Sequence, residues 1–251
     1  MENTQIAEKQ QTWPSLISET LEANVKALPQ FLNKEKFALD FIELLKSQPS
    51  LARNKNAALT NMLKAATLGL SFSDHDAYVV PYGSDFQFQI SYQGMIKLVT
   101  RYSIKPVKNI YAKVVRKDDE FSEEIVNGQP TVNFKPKPFN DNDIIGVFAV
   151  CLFDDGSMIY DTMSFKEIMN IKKCSKTGNS NASPWTQHFG EMAKKSIIRR
   201  LVKHIPVDME TAEMKTVFNE EAETDYEIPK SETPVENPFA DVRVECEVVN
   251  D

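Results

Sequence analysis

Apolar residues recur at three- and four-residue spacing through the first quarter of the chain, and that period predicts helices over Leu16 to Leu28, Lys36 to Lys46 and Lys55 to Leu68. In the last of these Leu59, Met62, Leu63 and Ala66 share a face, and Gly69 stands where a left-handed C-terminal cap belongs. The period then drops to two. "AYVVPYGSDFQFQISY" alternates apolar and polar residues across a Gly-Ser-Asp turn, which predicts a hairpin from Ala77 to Tyr92 with Pro81 at an edge or strand end. A short helix, Gln93 to Tyr102, follows. Three β-rich runs come next, "KNIYAKVV", "TVNFKP" and "IIGVFAVCLF", separated by turn chemistry such as Asn127-Gly128, and Asp155-Gly156 closes a hairpin onto "SMIYDTM". Ser164 is placed to cap a helix reaching Lys172. Residues 173 to 184, "KCSKTGNSNASP", are polar and too long for a plain connector, so they predict a mobile loop. A long helix from Trp185 to His204 is then stopped by Pro206.

The expected architecture is α+β, a central and mainly antiparallel β-sheet with hairpins, packed by helices. A flexible polar N-terminus over residues 1 to 15 precedes a core over 16 to 206, and a flexible acidic tail covers 207 to 251. That tail can continue as helix to Glu223, after which "DYEIPKSETPVENPF" has the proline and acid content of a disordered linker. Its end, "FADVRVECEVVND", alternates apolar and acidic residues, as a frayed strand or a short docking motif would. No internal repeat is visible.

Charge changes this picture. The 251 residues carry a net -7 and a pI near 5.2, but the distribution is uneven. From Val207 onward fourteen Asp/Glu face three Lys/Arg, a net of -11, which leaves +4 on residues 1 to 206. Such asymmetry points to a nucleic-acid-binding body with an acidic interaction tail, and removing the tail is expected to strengthen nonspecific DNA binding. The first thirty residues lack the apolar block of a signal peptide, and no run approaches the roughly 18 apolar residues of a membrane span. Cys151, Cys174 and Cys246 are odd in number and widely spaced, which argues against a disulfide framework or a cysteine zinc site and fits a reducing cytoplasm.

The basic charge of the body concentrates in "MAKKSIIRRLVKHIP", residues 192 to 206, six basic side chains in fifteen positions. On a helical wheel Ala193, Ile197, Ile198, Leu201, Val202 and Ile205 form one apolar arc. Lys195, Arg199 and Lys203 make a row outside it, with Arg200 alongside, spanning about 12 Å of helix. A row of that length can meet several successive phosphates. Lys194 lies over the apolar arc and must snorkel, pair or reach into a groove. A basic row is often only a solvated face, but no Asp or Glu lies between Met192 and Pro206 to neutralise this one within the helix. "YQGMIKLVTRY" repeats the arrangement: Tyr92, Met95, Ile96 and Val99 can face inward while Gln93, Lys97 and Arg101 form a second row, and two such rows can wall one groove. Gly94 either permits close backbone approach or makes a tight turn. Single-strand recognition also uses aromatic stacking platforms, for which Trp185 is a candidate; Phe189 is better explained as core, and Tyr78, Tyr82, Phe86 and Phe88 of the hairpin mostly as core or sheet-face residues.

Catalytic patterns are missing. There is no Walker-type glycine loop, GxGxxG, GxSxG or HExxH, so ATP hydrolysis and a nucleotide cofactor are not expected. "SDHDAY" places Asp74, His75 and Asp76 together, but between a capped helix and a hairpin it reads as a polar turn. "RKDDEF" and "FSEE" supply carboxylates a metal nuclease uses, although acidic loops are common.

The combination of "AATLGLSF", "AYVVPYGS", "FQFQISYQGMIKLVTR", "IIGVFAV" and "SPWTQHFGEMAKKSIIRRLVKHIP", in this order, resembles the RecT family of phage and prophage single-strand annealing proteins, over about Leu51 to Pro206. The resemblance implies a RecT/lambda-beta-like annealing core, ATP-independent pairing of complementary strands in recombination, no cofactor or metal, and assembly as homo-oligomeric rings or helical filaments in a bacterial host cytoplasm. It implies single-stranded DNA and annealed duplex as ligands, with a RecE-like exonuclease and a host single-strand-binding protein as partners of the C-terminal region. Carried over by motif, Gln93, Lys97, Arg101, Trp185, Lys194, Lys195, Arg199 and Arg200 fall at groove-forming segments. Lys203 extends the row, and Lys173 and Lys176 sit on the loop that can close over DNA. Where many relatives carry threonine after the lysine of the last motif this chain has "KKS", which leaves Lys194 and Lys195 as alternatives for the main contact. Two other classes remain open at this point: a metal nuclease built on Asp118, Asp119 and Glu120, and a non-annealing scaffold whose basic row docks an acidic partner.

Overall fold

The N-terminal helical period folds as a layer of short helices: α1 (Trp13–Ala23), a 3-10 turn (Val25–Ala27), α2 (Lys34–Ser47), α3 (Pro49–Arg53) and α4 (Lys55–Leu68). This is a computed structural model, which describes residues 12–82, 85–175, 181 and 183–223. Each start has a local cause. Pro14 occupies the first turn of α1, Asn33 accepts from the Lys36 N–H to cap α2, and Asn54 accepts from the Ala57 N–H to cap α4. Gly69 ends α4 at φ 63, the left-handed cap the sequence predicts. The first helix begins three residues earlier than its period suggests, so Trp13 to Ser15 are helical rather than frayed; residues 1–11 lie outside the described part. One face of the layer is buried through Ile17 and Leu21, Phe37 and Phe41, Leu51, Met62 and Leu68.

The β-segments form three antiparallel sheets among the described residues. Strands β1 (Ala77–Tyr82) and β2 (Asp85–Ile90) pair in full, with Pro81 at an edge as expected, and their turn at residues 83–84 lies outside the described part. Helix α5 (Tyr92–Tyr102) leads into β3 (Val107–Arg116), β4 (Glu120–Val126), β5 (Gln129–Lys135), β6 (Ile144–Phe153) and β7 (Met158–Ser164). The central sheet runs β3-β6-β7, while β4 and β5 make a separate hairpin across the Asn127-Gly128 turn, both residues at positive φ. The central sheet is therefore covered on both faces. One face meets α8 (Phe189–Val202) through Val147, Ala149 and Cys151, and the other stacks Phe148 against Phe121 and Phe134 of the hairpin at ring separations of 5.2 and 5.0 Å. Beyond β7 lie α6 (Phe165–Cys174), α7 (Pro184–Gln187) and, after α8, α9 (Ala212–Glu223).

Two sequence expectations are corrected by this chain path. The long helix from Trp185 to His204 is broken at His188, whose φ of -136 lies outside helical space, and α8 ends at Val202 before a turn to Ile205. Helix α9, on the tail side of Val207, buries Met214 and Phe218 and packs on α4, so the packed body includes part of what its charge marks as tail.

Gly94 in α5 resolves to close approach. A Cβ there would sit 2.1 Å from the Asp76 carbonyl oxygen, because the Ser91 N–H bonds that carbonyl at 2.9 Å and the Ser91 hydroxyl caps α5 through the Gly94 N–H. Glycine to alanine inside a helix ordinarily stabilises by about 1 kcal/mol. Here the sign reverses: Gly94→Ala is expected to destabilise by about 1–3 kcal/mol, the typical cost of overpacking, measured as a lower urea midpoint.

Candidate nucleic-acid interface

Helix α8 is buried on two sides, which decides what its cations can do. Ala193, Ile197, Ile198, Leu201, Val202 and Ile205 are all interior, as the wheel places them. The other side meets α5 and the end of β2, and this covers Arg199. Arg199 is 5% exposed and its guanidinium donates to the Ile90 carbonyl at 2.9 Å, so it is not part of an exposed row. Arg200 is held too: its Nε donates to Asp161 Oδ2 at 2.5 Å and Nη2 to Asp161 Oδ1 at 2.8 Å, with further bonds to the Thr162 carbonyl and to Glu167 at 3.3 Å. This fork joins α8 to β7 and α6. Lys195 is half-buried and Lys203 exposed. The helix also has an internal ion pair that the 192 to 206 window does not reveal, Glu191 to Lys194 at 2.6 Å.

Glu167 closes a capping box on α6. Hydrogen bonds from the Ser164 N–H and hydroxyl, and then Arg200, hold its carboxyl below its ordinary 4.5 against the opposing effect of burial. A carboxyl whose pKa is lower folded than unfolded stabilises above its unfolded value and loses that stabilisation as pH falls through the folded one. Between roughly pH 6 and 3 the wild type should therefore lose stability that Glu167→Gln does not, by under about 1 kcal/mol given the exposure of the group. Urea midpoints at the two pH values check it.

The row on α5 is also engaged. Lys97 pairs with Asp76 at 2.5 Å, where the carboxylate is almost fully covered and also accepts from the Ser71 N–H. Arg101 lies over the Phe31 ring at 3.9 Å. Both line a hollow of about 300 Å³ with Lys36, Asp40 and Asp74, whereas Gln93 is simply exposed. Trp185 is 4% exposed and packs against Phe189, so it is a core residue rather than an open stacking platform. Lys173 is exposed on the last turn of α6, not in the following loop, and Lys176 lies outside the described residues.

A second hollow, about 530 Å³, brings together cations that helical periodicity could not find. Lys113 and Arg116 from β3, Lys137 from the β5–β6 loop and Lys194 from α8 line it, with Tyr111, Phe134 and Phe148 among its apolar walls. Lys194 thus pairs and reaches a groove at once, while Lys97 and Arg101 of the other row line the separate 300 Å³ hollow. The signal for Lys113 and Arg116 was present in "YAKVVRK", a strand that carries cations beside an aromatic residue; Lys137 needed the loop path. Cations gathered around a cleft can hold the phosphates of a strand while its bases stay free.

Among the described residues that line this cleft the carboxylate is Asp119, and it is committed to the fold. Burial pushes Asp119 up, yet the Arg116 N–H, the Asn140 amide, the Lys137 N–H and the Arg116 charge hold it below its ordinary value. Of its neighbours, Asp118 accepts from the Asn142 amide at 2.9 Å and pairs with Lys137 of the cleft at 3.9 Å, and Glu120 accepts from Lys135 at 3.0 Å. Among the described residues no group of three or more His, Cys, Asp or Glu side chains is placed to hold a metal ion, and no helix is long and apolar enough to cross a membrane.

The RecT family profile matches residues 35–234, from the first turn of α2 through α9 and beyond. Protein RecT of Escherichia coli (strain K12) is 32% identical over 196 residues, which cover 73% of this chain and 71% of that protein.

Proposed function

The chain belongs to the RecT family, a DNA-binding, single-strand annealing protein of recombination, and from that premise we propose that its DNA path is the cleft of Lys113, Arg116, Lys137 and Lys194. Four cations from three separate segments converge on one aromatic-walled hollow, and that convergence carries the reading. The cations hold a strand by its phosphates, the bases stay available, and complementarity with a second strand supplies the specificity that side chains do not. Lys194 makes the contact from the lysine pair, and Lys195, Lys203, Lys173 and Gln93 lie on surfaces that a neighbouring subunit or a longer strand can reach. Arg101 and Lys97 act by fixing α5. Annealing needs no ATP in this account, and subunits assemble as a ring or helical filament that joins their clefts. The C-terminal region docks a RecE-like exonuclease or a host single-strand-binding protein.

Labelled complementary oligonucleotides, incubated with the protein and magnesium or manganese but no nucleotide, test it. Duplex formation without loss of strand supports annealing. Shortened strands support a nuclease at Asp118, Asp119 and Glu120, and no low-salt DNA binding supports a scaffold. Residues 224 to 251 carry eight Asp/Glu against two Lys/Arg, so deleting them, with α9 kept because it is packed, should raise nonspecific DNA affinity several-fold at low salt. Unchanged affinity at matched salt rejects a masking role for the tail.

A further inference from the structure

At the rim of the cleft the chain holds a phenylalanine out of the fold. Phe139 is fully exposed and has a φ of 53, in left-handed space that bulky residues rarely adopt. Its loop is not slack. The Lys137 N–H and the Asn140 amide both donate to Asp119 Oδ1, at 3.0 and 2.8 Å, and the Asn140 amide also reaches the Lys117 carbonyl at 2.9 Å. Asn142 donates to Asp118 at 2.9 Å and accepts from the Arg116 guanidinium at 2.6 Å through its carbonyl, while the Lys117 N–H bonds Asp143 at 2.9 Å. A loop stapled this closely to the β3–β4 turn carries one ring at a set backbone position, between two residues that line the cleft, Lys137 and Asn140.

We infer that Phe139 is a base-stacking post: with the phosphates of one strand on Lys113, Arg116, Lys137 and Lys194, its ring packs on the face of a base of that strand. Every base has such a face, so the contact adds affinity without sequence preference, as annealing of arbitrary sequences requires. The stapled loop matters because its backbone needs little ordering when the ring binds. The inference rests on the cleft being the strand's path.

The test uses a dT oligonucleotide and an abasic oligonucleotide of the same length with the full-length chain. Phe139→Ala removes no buried contact and should weaken dT binding by roughly 5- to 150-fold while changing abasic binding less than about two-fold. Phe139→Trp should restore dT affinity and show fluorescence quenching on dT but not on the abasic strand. Equal losses on both strands, or a smaller assembly by light scattering with no base-dependent change, would overturn the post and make Phe139 a backbone or subunit contact. Wild-type dT affinity in Phe139→Ala, with affinity lost in Lys113→Ala/Arg116→Ala, rejects the post and leaves the cleft standing. Wild-type affinity in the double variant rejects the cleft and, with it, the post.

Discussion

Lys113→Ala/Arg116→Ala should bind a single-stranded oligonucleotide roughly 100-fold more weakly than the wild type at low salt, at about 1.4 kcal/mol for each lost contact. Lys113 is exposed and Arg116 partly so, which makes the double variant a probe of the surface rather than of the core. Its structural costs are the Arg116 bond to the Asn142 carbonyl, worth about 1 kcal/mol, and the loss of the Arg116 charge beside Asp119. Phosphate contacts release counterions, and on single strands each contributes about 0.7 to the slope of log affinity against log salt. The variant's slope should therefore be shallower by about 1.4. A fall in affinity with the slope unchanged would mean that these side chains do not meet phosphates.

Arg199→Ala should fail for a different reason. The side chain is buried and supplies a donor to the Ile90 carbonyl, so truncation leaves a cavity and removes that donor between α8 and β2. About 3–5 kcal/mol of stability and a melting temperature lower by about 10 °C or more are expected. The fraction that stays folded should bind DNA within about three-fold of wild type, the size of effect expected where no contact to DNA is lost. A variant that melts normally yet loses DNA would put Arg199 back on the binding surface.

Arg199 and Trp185 show where sequence periodicity stops. The wheel of α8 separates six interior residues correctly because one face of the helix meets a sheet. It places Arg199 outside because a wheel of one helix contains no information about α5, which covers the other side. Trp185 fails similarly, since its burial depends on Phe189 after the break at His188. By contrast α4 and β6 are found at their observed ends, where a left-handed glycine and an uninterrupted apolar run mark them locally. Strand β4 was hidden by its acids: "FSEEIV" reads as a charged loop until Asn127-Gly128 is taken as a two-residue hairpin turn that demands a partner for β5. The candidate cleft is assembled from a strand, a loop and a helix far apart in sequence, and no single-element pattern can bring Lys113, Lys137 and Lys194 together.

The most direct test of the account is an electron cryomicroscopy reconstruction of the assembly formed on two complementary oligonucleotides. It should show a strand whose phosphates lie within hydrogen-bonding reach of Lys113, Arg116, Lys137 and Lys194, in a cleft continuous from one subunit to the next. A strand running over α5 or the outer surface of α8, with that cleft empty, would contradict it.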